Sequence, residues 1–280
     1  MTTWFTTDPK DSTTSLTDKL ASYADTLVSY ELTLDPASNT SIPYANSSLE
    51  CLEDLSSWID QNDTDHDSRK LLRTLLSDII QTSRTEGSQF HSFESPLDLM
   101  IRAVRYNNSR SESADRIKQL YVAQSDIRSL PSSLRDDLPT PDMITRIGKG
   151  DIYGSSIWLG LQPTYTPLHR DPNPNWFSQL VGEKAVRLIP PRMGDSVYAD
   201  VRRKLGSPGN SRFRGAEMMD GPERDGLHRA VWIEPSPSRG FVQAILKPGD
   251  ALFIPKGWWH SVTSVGVPGD LNASANWWFR

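Results

Sequence analysis

Apolar residues recur at helix-like spacing over residues 1 to about 120. One series contains Leu16, Leu20, Tyr23 and Leu27, and a denser one contains Leu71, Leu72, Leu75, Leu76, Ile79 and Ile80. Apolar positions three and four residues apart form one face of an amphipathic helix, so both series predict helices. Between them, the segment from Asp35 to Pro43 is rich in turn-forming residues and is interpreted as a linker. The pattern predicts a helical N-terminal region over residues 1–115.

From about residue 150 the pattern changes to short apolar or alternating segments that are separated by glycine and proline. These segments are Ile152–Leu161, Trp176–Val181, Ala185–Ile189, Phe241–Leu246, Ala251–Ile254, Ser261–Val265 and Ala273–Phe279. Many short strands with such punctuation favour a β-sandwich or barrel. The segment from Arg192 to Arg239 interrupts the series, and a connection of this length in a compact domain is usually functional or mobile. We therefore predict a second domain over residues 116–280, with a long insertion at about 192–240.

An acidic run from Asp60 to Asp67 alternates carboxylates with polar residues and contains His66. Such a run could form a metal-binding loop. It lacks the glycine and the final glutamate of a calcium-binding EF-hand loop. We interpret it as a solvated connection between two helices.

Composition narrows the functional classes. The chain has 280 residues, 36% hydrophobic and 23% charged, as globular proteins do. Cys51 is the single cysteine, which excludes an intrachain disulfide and a zinc site built from several cysteines of one chain. A net charge of −5 argues against a general attraction to nucleic acid. No apolar run reaches the roughly 18 residues that span a bilayer, and the N-terminus lacks signal-peptide features. We expect no membrane partner and a cytoplasmic or nuclear location.

Three residues form a candidate metal site. His169 and Asp171 are two positions apart, so on a β-strand their side chains would point to the same face. His260 follows the segment Pro248 to Pro255, whose pattern predicts a turn and a buried strand that would return it across the barrel. Two imidazoles and one carboxylate can hold one face of an octahedron around non-haem Fe(II) and leave the other positions open. A His-x-Asp pair alone is also a common surface feature, so its neighbours have to decide.

The neighbouring motifs occur in a fixed order between Ile117 and Trp278. They are Tyr121-Val-Ala-Gln124, Leu138-Pro-Thr-Pro-Asp142, Trp158-Leu-Gly160, Thr166-Pro-Leu-His-Arg-Asp-Pro172, Asn175-Trp-Phe-Ser-Gln179, Gly182-Glu-Lys184, Arg187-Leu-Ile-Pro-Pro191 and Asn276-Trp-Trp278. In this order they resemble the Jumonji-C (JmjC) and cupin-like 2-oxoglutarate oxygenases. Within this family, the chain looks like the small JmjC protein hydroxylases, such as the arginyl hydroxylase subfamily and the asparaginyl hydroxylase that acts on hypoxia-inducible factor. The resemblance implies a double-stranded β-helix (jelly-roll) core, so we predict a mainly β protein with a helical N-terminal part.

The resemblance also implies a site for the cosubstrate. Lys184 would pair with the distal carboxylate of 2-oxoglutarate, while Tyr121 and Thr166 would donate hydrogen bonds to it. A dicarboxylate in a largely apolar barrel does need a cation and donors to offset its desolvation. Asn175 and Asn276 would lie beside the iron-bound end. Structural alternatives stay open: Lys184 could be a solvated lysine in a hairpin turn, and Tyr121 and Thr166 could be ordinary strand or helix-cap residues.

By the same resemblance, His169, Asp171 and His260 ligate Fe(II) and form the catalytic centre, with 2-oxoglutarate and O2 as cosubstrates. The expected reaction converts 2-oxoglutarate to succinate and CO2 and hydroxylates a substrate C–H bond. A protein or peptide side chain is the leading substrate class, because the small JmjC hydroxylases that this chain resembles modify proteins. A small molecule or a tRNA base is the alternative, and histone demethylation ranks lower because no chromatin-reader module accompanies the domain. A cupin-like binding or regulatory protein without turnover is the non-enzymatic alternative.

Partners are the least defined part of the prediction. The insertion carries nine Arg or Lys against seven Asp or Glu, with Arg202, Arg203 and Lys204 clustered. These charges could contact an acidic peptide, a nucleic acid or a polar metabolite, or could simply be solvated. A homodimer is one possible partnership, and because the last predicted strand ends next to Arg280, any such dimer is expected to use the N-terminal helices.

Overall fold

The computed structural model describes residues 3–10, 13–34, 47–62, 65–87, 89–147, 149–206, 221–236 and 240–280. It divides into two compact units. The first contains Met1–Pro139, Ile157–Thr164 and Gly266–Ala273, and the second contains Thr140–Ser156, Tyr165–Val265 and Ser274–Arg280. The linker predicted from Asp35 to Pro43 lies outside the described residues. None of the described helices is long and apolar enough to cross a membrane.

The first unit mixes strands and helices. Its strands are β1 (Phe5–Thr7), β2 (Thr14–Leu16), β3 (Leu27–Thr33), β4 (Phe90–Pro96) and β5 (Leu120–Asp126). Its α-helices are α1 (Asp18–Ala21), α2 (Leu49–Asn62), α3 (His66–Glu86), α4 (Asp98–Asn108) and α5 (Ser132–Arg135). Short 3-10 turns lie at Ser113–Asp115 and Ile127–Ser129. Strands β1 and β2 form a hairpin, and β3 pairs antiparallel with β4 on one side and with β5 on the other.

The helix predicted through Leu16 and Leu27 is wrong. Leu16 ends β2, Leu27 begins β3, and only the four-residue α1 lies between them. Within β3, Val28 and Leu32 are buried while their neighbours are more exposed, which is the period of two that a strand requires. The alternation of buried and exposed residues within the segment therefore describes its structure, and the helix-like spacing of the apolar residues does not. The N-terminal region is therefore not purely helical.

The second apolar series is confirmed as a helix. Leu72, Leu76 and the pair Ile79 and Ile80 form the buried stripe of α3. The acidic run begins with Asp60 in the last turn of α2 and ends with His66 and Asp67 in the first turn of α3, as expected for the region that joins two helices. Asp65 caps α3, because its side chain accepts hydrogen bonds from the first backbone N–H groups of the helix.

The second unit contains two antiparallel sheets. Its strands are β7 (Tyr165–Arg170), β8 (Asn175–Val181), β9 (Glu183–Ile189), β10 (Val242–Leu246), β11 (Ala251–Ile254) and β12 (Trp259–Val265), together with its residues of β6 (Ile152–Leu161) and β13 (Leu271–Phe279). One sheet has the order β10-β9-β12-β7, and the other has the order β11-β8-β13-β6. Their inner faces share a core of Phe177, Val186, Leu188, Leu246, Ile254 and Val262. The mainly β class and the jelly-roll core are confirmed.

The described part of the insertion forms a helical layer. This layer consists of helices α7 (Pro191–Lys204) and α8 (Pro222–His228) and a π-helical turn at Arg229–Ile233, whereas α6 (Asp142–Arg146) precedes β6 in the second unit. Val197 of α7 and Leu227 of α8 pack against Trp259 of β12 in one buried cluster. Successive side chains of a strand point to opposite faces, so this layer covers the face opposite to His260. Within the clustered basic residues, Arg202 pairs with Glu223 and Arg203 with Asp200.

Gly194 permits the close approach of α7 to this sheet. A Cβ at this position would lie 2.1 Å from Cδ1 of Trp259, whose side chain is fully buried. We expect Gly194→Ala to lower the free energy of unfolding by about 1–3 kcal/mol through overpacking. Denaturant unfolding measures this change. Gly154→Ala is the control, because its Cβ would meet Trp278 at an ordinary 3.8 Å, and equal effects in the two variants would contradict the packing argument.

Candidate metal centre

Adjacent strands bring the three candidate ligands together. His169 on β7 and His260 on β12 are direct Cα partners, and their ring centroids lie 4.2 Å apart. Asp171 follows the end of β7. Nε2 of His169 is 4.0 Å from Oδ1 of Asp171, and Nε2 of His260 is 3.6 Å from Oδ2. In the part of the chain that the structure describes, this is the one group of three or more His, Cys, Asp or Glu side chains that could hold a metal ion.

Backbone carbonyls fix the orientation of both imidazoles. Nδ1 of His169 lies 2.8 Å from the carbonyl oxygen of Pro167, and Nδ1 of His260 lies 3.2 Å from that of Trp258. A neutral imidazole that donates through Nδ1 presents the lone pair of Nε2 on its other side. Both Nε2 atoms face Asp171, so the three donor atoms converge on one point.

The protonation states also suit metal binding. Burial, together with the nearby His169, lowers the pKa of His260 to about 4, so its imidazole is neutral at neutral pH. Burial acts to raise the pKa of Asp171, but the two histidines and hydrogen bonds from Trp278 and Asn175 hold it below its ordinary value. Metal ligands must be deprotonated, and at neutral pH these shifts favour the deprotonated forms of His260 and Asp171.

A hydrogen-bond chain holds the carboxylate of Asp171. Its Oδ2 accepts from Nε1 of Trp278 at 2.8 Å and from Nδ2 of Asn175 at 2.9 Å. Nδ2 of Asn276 in turn donates to Oδ1 of Asn175 at 2.7 Å. Oδ1 of Asn276 is buried and has no hydrogen-bond partner within the described ranges. The two asparagines thus lie beside the candidate metal ligands.

The sequence analysis assigned no role at the site to Trp278 or to Ser274. Both lie on β13 at alternate positions with Asn276, so the three side chains point to one face. The period of two, counted from the asparagine, is the signal that could have identified them.

A β-bulge places Thr166 on the metal-bearing face. His260 pairs with His169, whereas Val262 pairs with Thr166, so two residues of β7 lie opposite Ser261 alone. The extra residue reverses the alternation of the strand. Thr166 and His169 therefore face the same side of the sheet, although their separation of three residues would put them on opposite faces of a regular strand.

Lys184 lies deeper on the same face. In β9, Leu188 pairs with His260 and Lys184 pairs with Ser264, and the two β9 positions share a face. Nζ of Lys184 donates to Oγ of Ser274 at 2.7 Å, and the side chain is among the largest that are fully buried. Burial lowers its pKa to about 7. The structure thus makes Lys184 a buried residue, unlike the solvated hairpin lysine of the alternative interpretation.

Tyr121 belongs to the other unit. It lies on β5, its ring centroid is 5.7 Å from that of Trp158, and it is buried. Burial raises the pKa of its hydroxyl, against a hydrogen bond with Thr164 that lowers it. Gly160 is required beside it, because a Cβ there would lie 2.3 Å from Cδ2 of Tyr121. Its role at the cosubstrate stays a prediction.

Comparisons with known proteins agree with this geometry. The family model described as "Cupin-like domain" matches residues 7–280. Lysine-specific demethylase JMJ30 of Arabidopsis thaliana is 31% identical over 170 residues, which cover 61% of this chain and 36% of that protein. Jumonji C domain-containing protein 5 of Drosophila melanogaster is 33% identical over 147 residues, covering 51% of this chain and 33% of the relative. Lysine-specific demethylase 8 of Danio rerio is 30% identical over 161 residues, covering 57% and 36%. The match spans about a third of the length of these relatives.

Proposed function

Because the chain belongs to the cupin-like domain family, and its curated relatives include JmjC proteins, we propose that it is an Fe(II)- and 2-oxoglutarate-dependent oxygenase. The observation that carries this proposal is the convergence of His169, Asp171 and His260. Two imidazole nitrogens and one carboxylate oxygen suit divalent iron and leave part of its coordination sphere open. When bound, Fe(II) would supply the redox chemistry that couples decarboxylation of 2-oxoglutarate to oxidation of a C–H bond.

The deeper part of the same face fits a dicarboxylate. Leu188 of β9 pairs with His260, and Lys184 lies four residues away on the same strand. The backbone at Lys184 is therefore roughly 13 Å along β9 from the position beside His260. Much of that distance can be filled by the lysine side chain and by a five-carbon diacid. Ser274 adds a hydroxyl beside Nζ of Lys184, and Thr166 shares the sheet face. A buried cation with polar neighbours offsets the desolvation of a carboxylate.

We further propose that the substrate is a protein or peptide side chain, which gains a hydroxyl group. A second candidate is removal of an N-methyl group from lysine, which two relatives favour by their names, lysine-specific demethylase JMJ30 and lysine-specific demethylase 8. Both reactions oxidise a C–H bond. They differ only in whether the hydroxylated carbon is retained or lost as formaldehyde.

Mass spectrometry separates these candidates. Protein extract and synthetic peptides, with and without methyl-lysine, would be incubated with wild-type protein, Fe(II), 2-oxoglutarate and O2, with His169→Ala as the blank. A gain of one oxygen atom supports hydroxylation, and loss of a methyl group supports demethylation. Succinate formation without either change would redirect the search to small molecules and tRNA bases. No succinate with any substrate would favour the alternative of a binding protein without turnover.

The pKa of Lys184 predicts a pH dependence of cosubstrate binding. In the unliganded protein this pKa is about 7, and a bound carboxylate would raise it. Above pH 7, binding must therefore take up a proton, and affinity should fall by up to about tenfold per pH unit. Calorimetric titration of 2-oxoglutarate at pH 8, in two buffers of different ionisation enthalpy, counts the proton. Lys184→Arg should abolish the uptake, because arginine stays protonated. Equal uptake in both proteins would assign the proton to another group.

A further inference from the structure

The two oxygens of the Asp171 carboxylate are in different environments. Oδ2 accepts hydrogen bonds from Trp278 and Asn175, whereas Oδ1 accepts none from the residues that the structure describes. Each carboxylate oxygen has about two lone-pair sites, so two donors occupy Oδ2. Oδ1 keeps both of its sites for a metal ion.

We propose that Trp278 is a positioning residue, whose indole N–H holds Asp171 as a metal ligand through one oxygen only. This inference rests on the proposed metal site. A carboxylate can bind a metal through one oxygen or through both. Binding through both would occupy a coordination position that the cosubstrate or O2 needs. By engaging Oδ2, Trp278 keeps that position open.

The surroundings of Trp278 suit this role. The indole N–H is a donor only, so it can hold a carboxylate but cannot itself bind the metal. The Cβ of any side chain at Gly154 would lie 3.8 Å from Cε3 of Trp278, so the neighbouring strand lies against the indole ring. The second donor to Oδ2 is the amide of Asn175. It is fixed by Asn276, whose Nδ2 donates a hydrogen bond of 2.7 Å to Oδ1 of Asn175. Both donors to Oδ2 are therefore held in place by their own neighbours.

The test removes the N–H and keeps an aromatic ring. Trp278→Phe would be compared with wild type by anaerobic titration with Co(II), followed by its visible absorption, whose intensity depends on coordination number. We expect the dissociation constant for Co(II) to rise about ten- to a hundred-fold, as for other partners that orient a ligand. We also expect the absorption of the bound metal to change, because Asp171 can then bind through both oxygens.

Trp277→Phe is the matched control. Trp277 is buried on the same strand, but alternation turns it to the opposite face. It should leave both the affinity and the spectrum of bound Co(II) unchanged, even where it lowers stability. If Trp277→Phe changed them as much as Trp278→Phe, general disruption rather than the lost N–H would explain the effect, and the inference would be wrong.

Asn175→Ala is the second variant, which keeps the test valid if Trp278→Phe does not fold. It removes the other donor to the same oxygen, so the same direction of change is expected. Unchanged Co(II) affinity and spectrum in the donor variants that fold would overturn the positioning role and leave the metal site intact. Failure of wild type to bind Co(II) at all would instead overturn the metal site itself.

Discussion

His169→Ala is expected to lower the affinity for a divalent metal by more than about a hundred-fold, since even the loss of a partner that only orients a ligand costs roughly ten- to a hundred-fold. Two donor atoms, from Asp171 and His260, would remain on adjacent elements. The His169 ring is largely buried, and its Nδ1 contacts the carbonyl oxygen of Pro167. Alanine keeps the backbone pairing of this position with His260, so the effect on metal binding should exceed the effect on folding.

Mn(II) binding followed by electron paramagnetic resonance measures this change, because free and bound ions give different signals. His91→Ala is the control, since His91 is a partly buried histidine whose Nε2 pairs with Oγ of Ser83 in the other unit. It should bind Mn(II) as wild type does. Retention of Mn(II) affinity by His169→Ala would remove this histidine from the ligand set.

Lys184→Met removes the buried cation that is proposed to bind 2-oxoglutarate. Methionine has a similar length without the charge, so the core would keep most of its packing. Loss of one partner from a buried, hydrogen-bonded charge pair typically costs about 2–5 kcal/mol, which is roughly thirty-fold or more in affinity. We therefore expect binding of 2-oxoglutarate to the Mn(II)-loaded protein to weaken by about that factor. Metal affinity should not change, because Lys184 lies four residues along β9 from Leu188, the residue that pairs with His260.

The same substitution should stabilise the unliganded protein. The pKa of Lys184 is about 7 in the folded state, against 10.5 for a freely solvated lysine side chain. Between these values the unfolded chain holds a proton that the folded protein does not, so stability rises with pH across this window in wild type. Lys184→Met should flatten this rise and raise the melting temperature at pH 7.

Calorimetry of 2-oxoglutarate binding and thermal unfolding at several pH values measure the two effects. Lys247→Met is the control, because Lys247 is an exposed lysine in the turn after β10. It should change neither cosubstrate binding nor the pH dependence of stability. A Lys184→Met protein that binds 2-oxoglutarate as wild type does would place the distal carboxylate elsewhere.

Much of the β-rich unit could be predicted from sequence because its strands are short, apolar and bounded by glycine and proline. Segment Ile152–Leu161 matches β6, and Ala251–Ile254 matches β11. β7 was missed, since Thr166-Pro-Leu-His169 contains a proline and a bulge and so shows no regular alternation. In the N-terminal region, Leu16, Leu20 and Leu27 have helix-like spacing but lie in three different elements, β2, α1 and β3. Spacing alone does not show where a turn separates such residues.

In the candidate site too, some residues could be predicted from the sequence and others could not. His169, Asp171 and His260 could be proposed because metal ligands are chemically distinctive residue types with a characteristic spacing. Ser274 and Trp278 could not, since their importance depends on which atoms they approach across the sheets. The hydroxyl of Ser274 meets Lys184, and the indole of Trp278 meets Asp171. Such contacts are long-range in sequence and leave no local pattern.

Succinate formation measures the proposed oxygenase activity itself. Wild-type protein and His169→Ala would be loaded anaerobically with Fe(II) and 2-oxoglutarate, exposed to O2 with and without cell extract, and assayed for succinate. We predict succinate from wild type, a dependence on Fe(II), and none above background from the variant. No succinate from metal-loaded wild type even with extract, or equal amounts from wild type and variant, would contradict the proposed oxygenase activity.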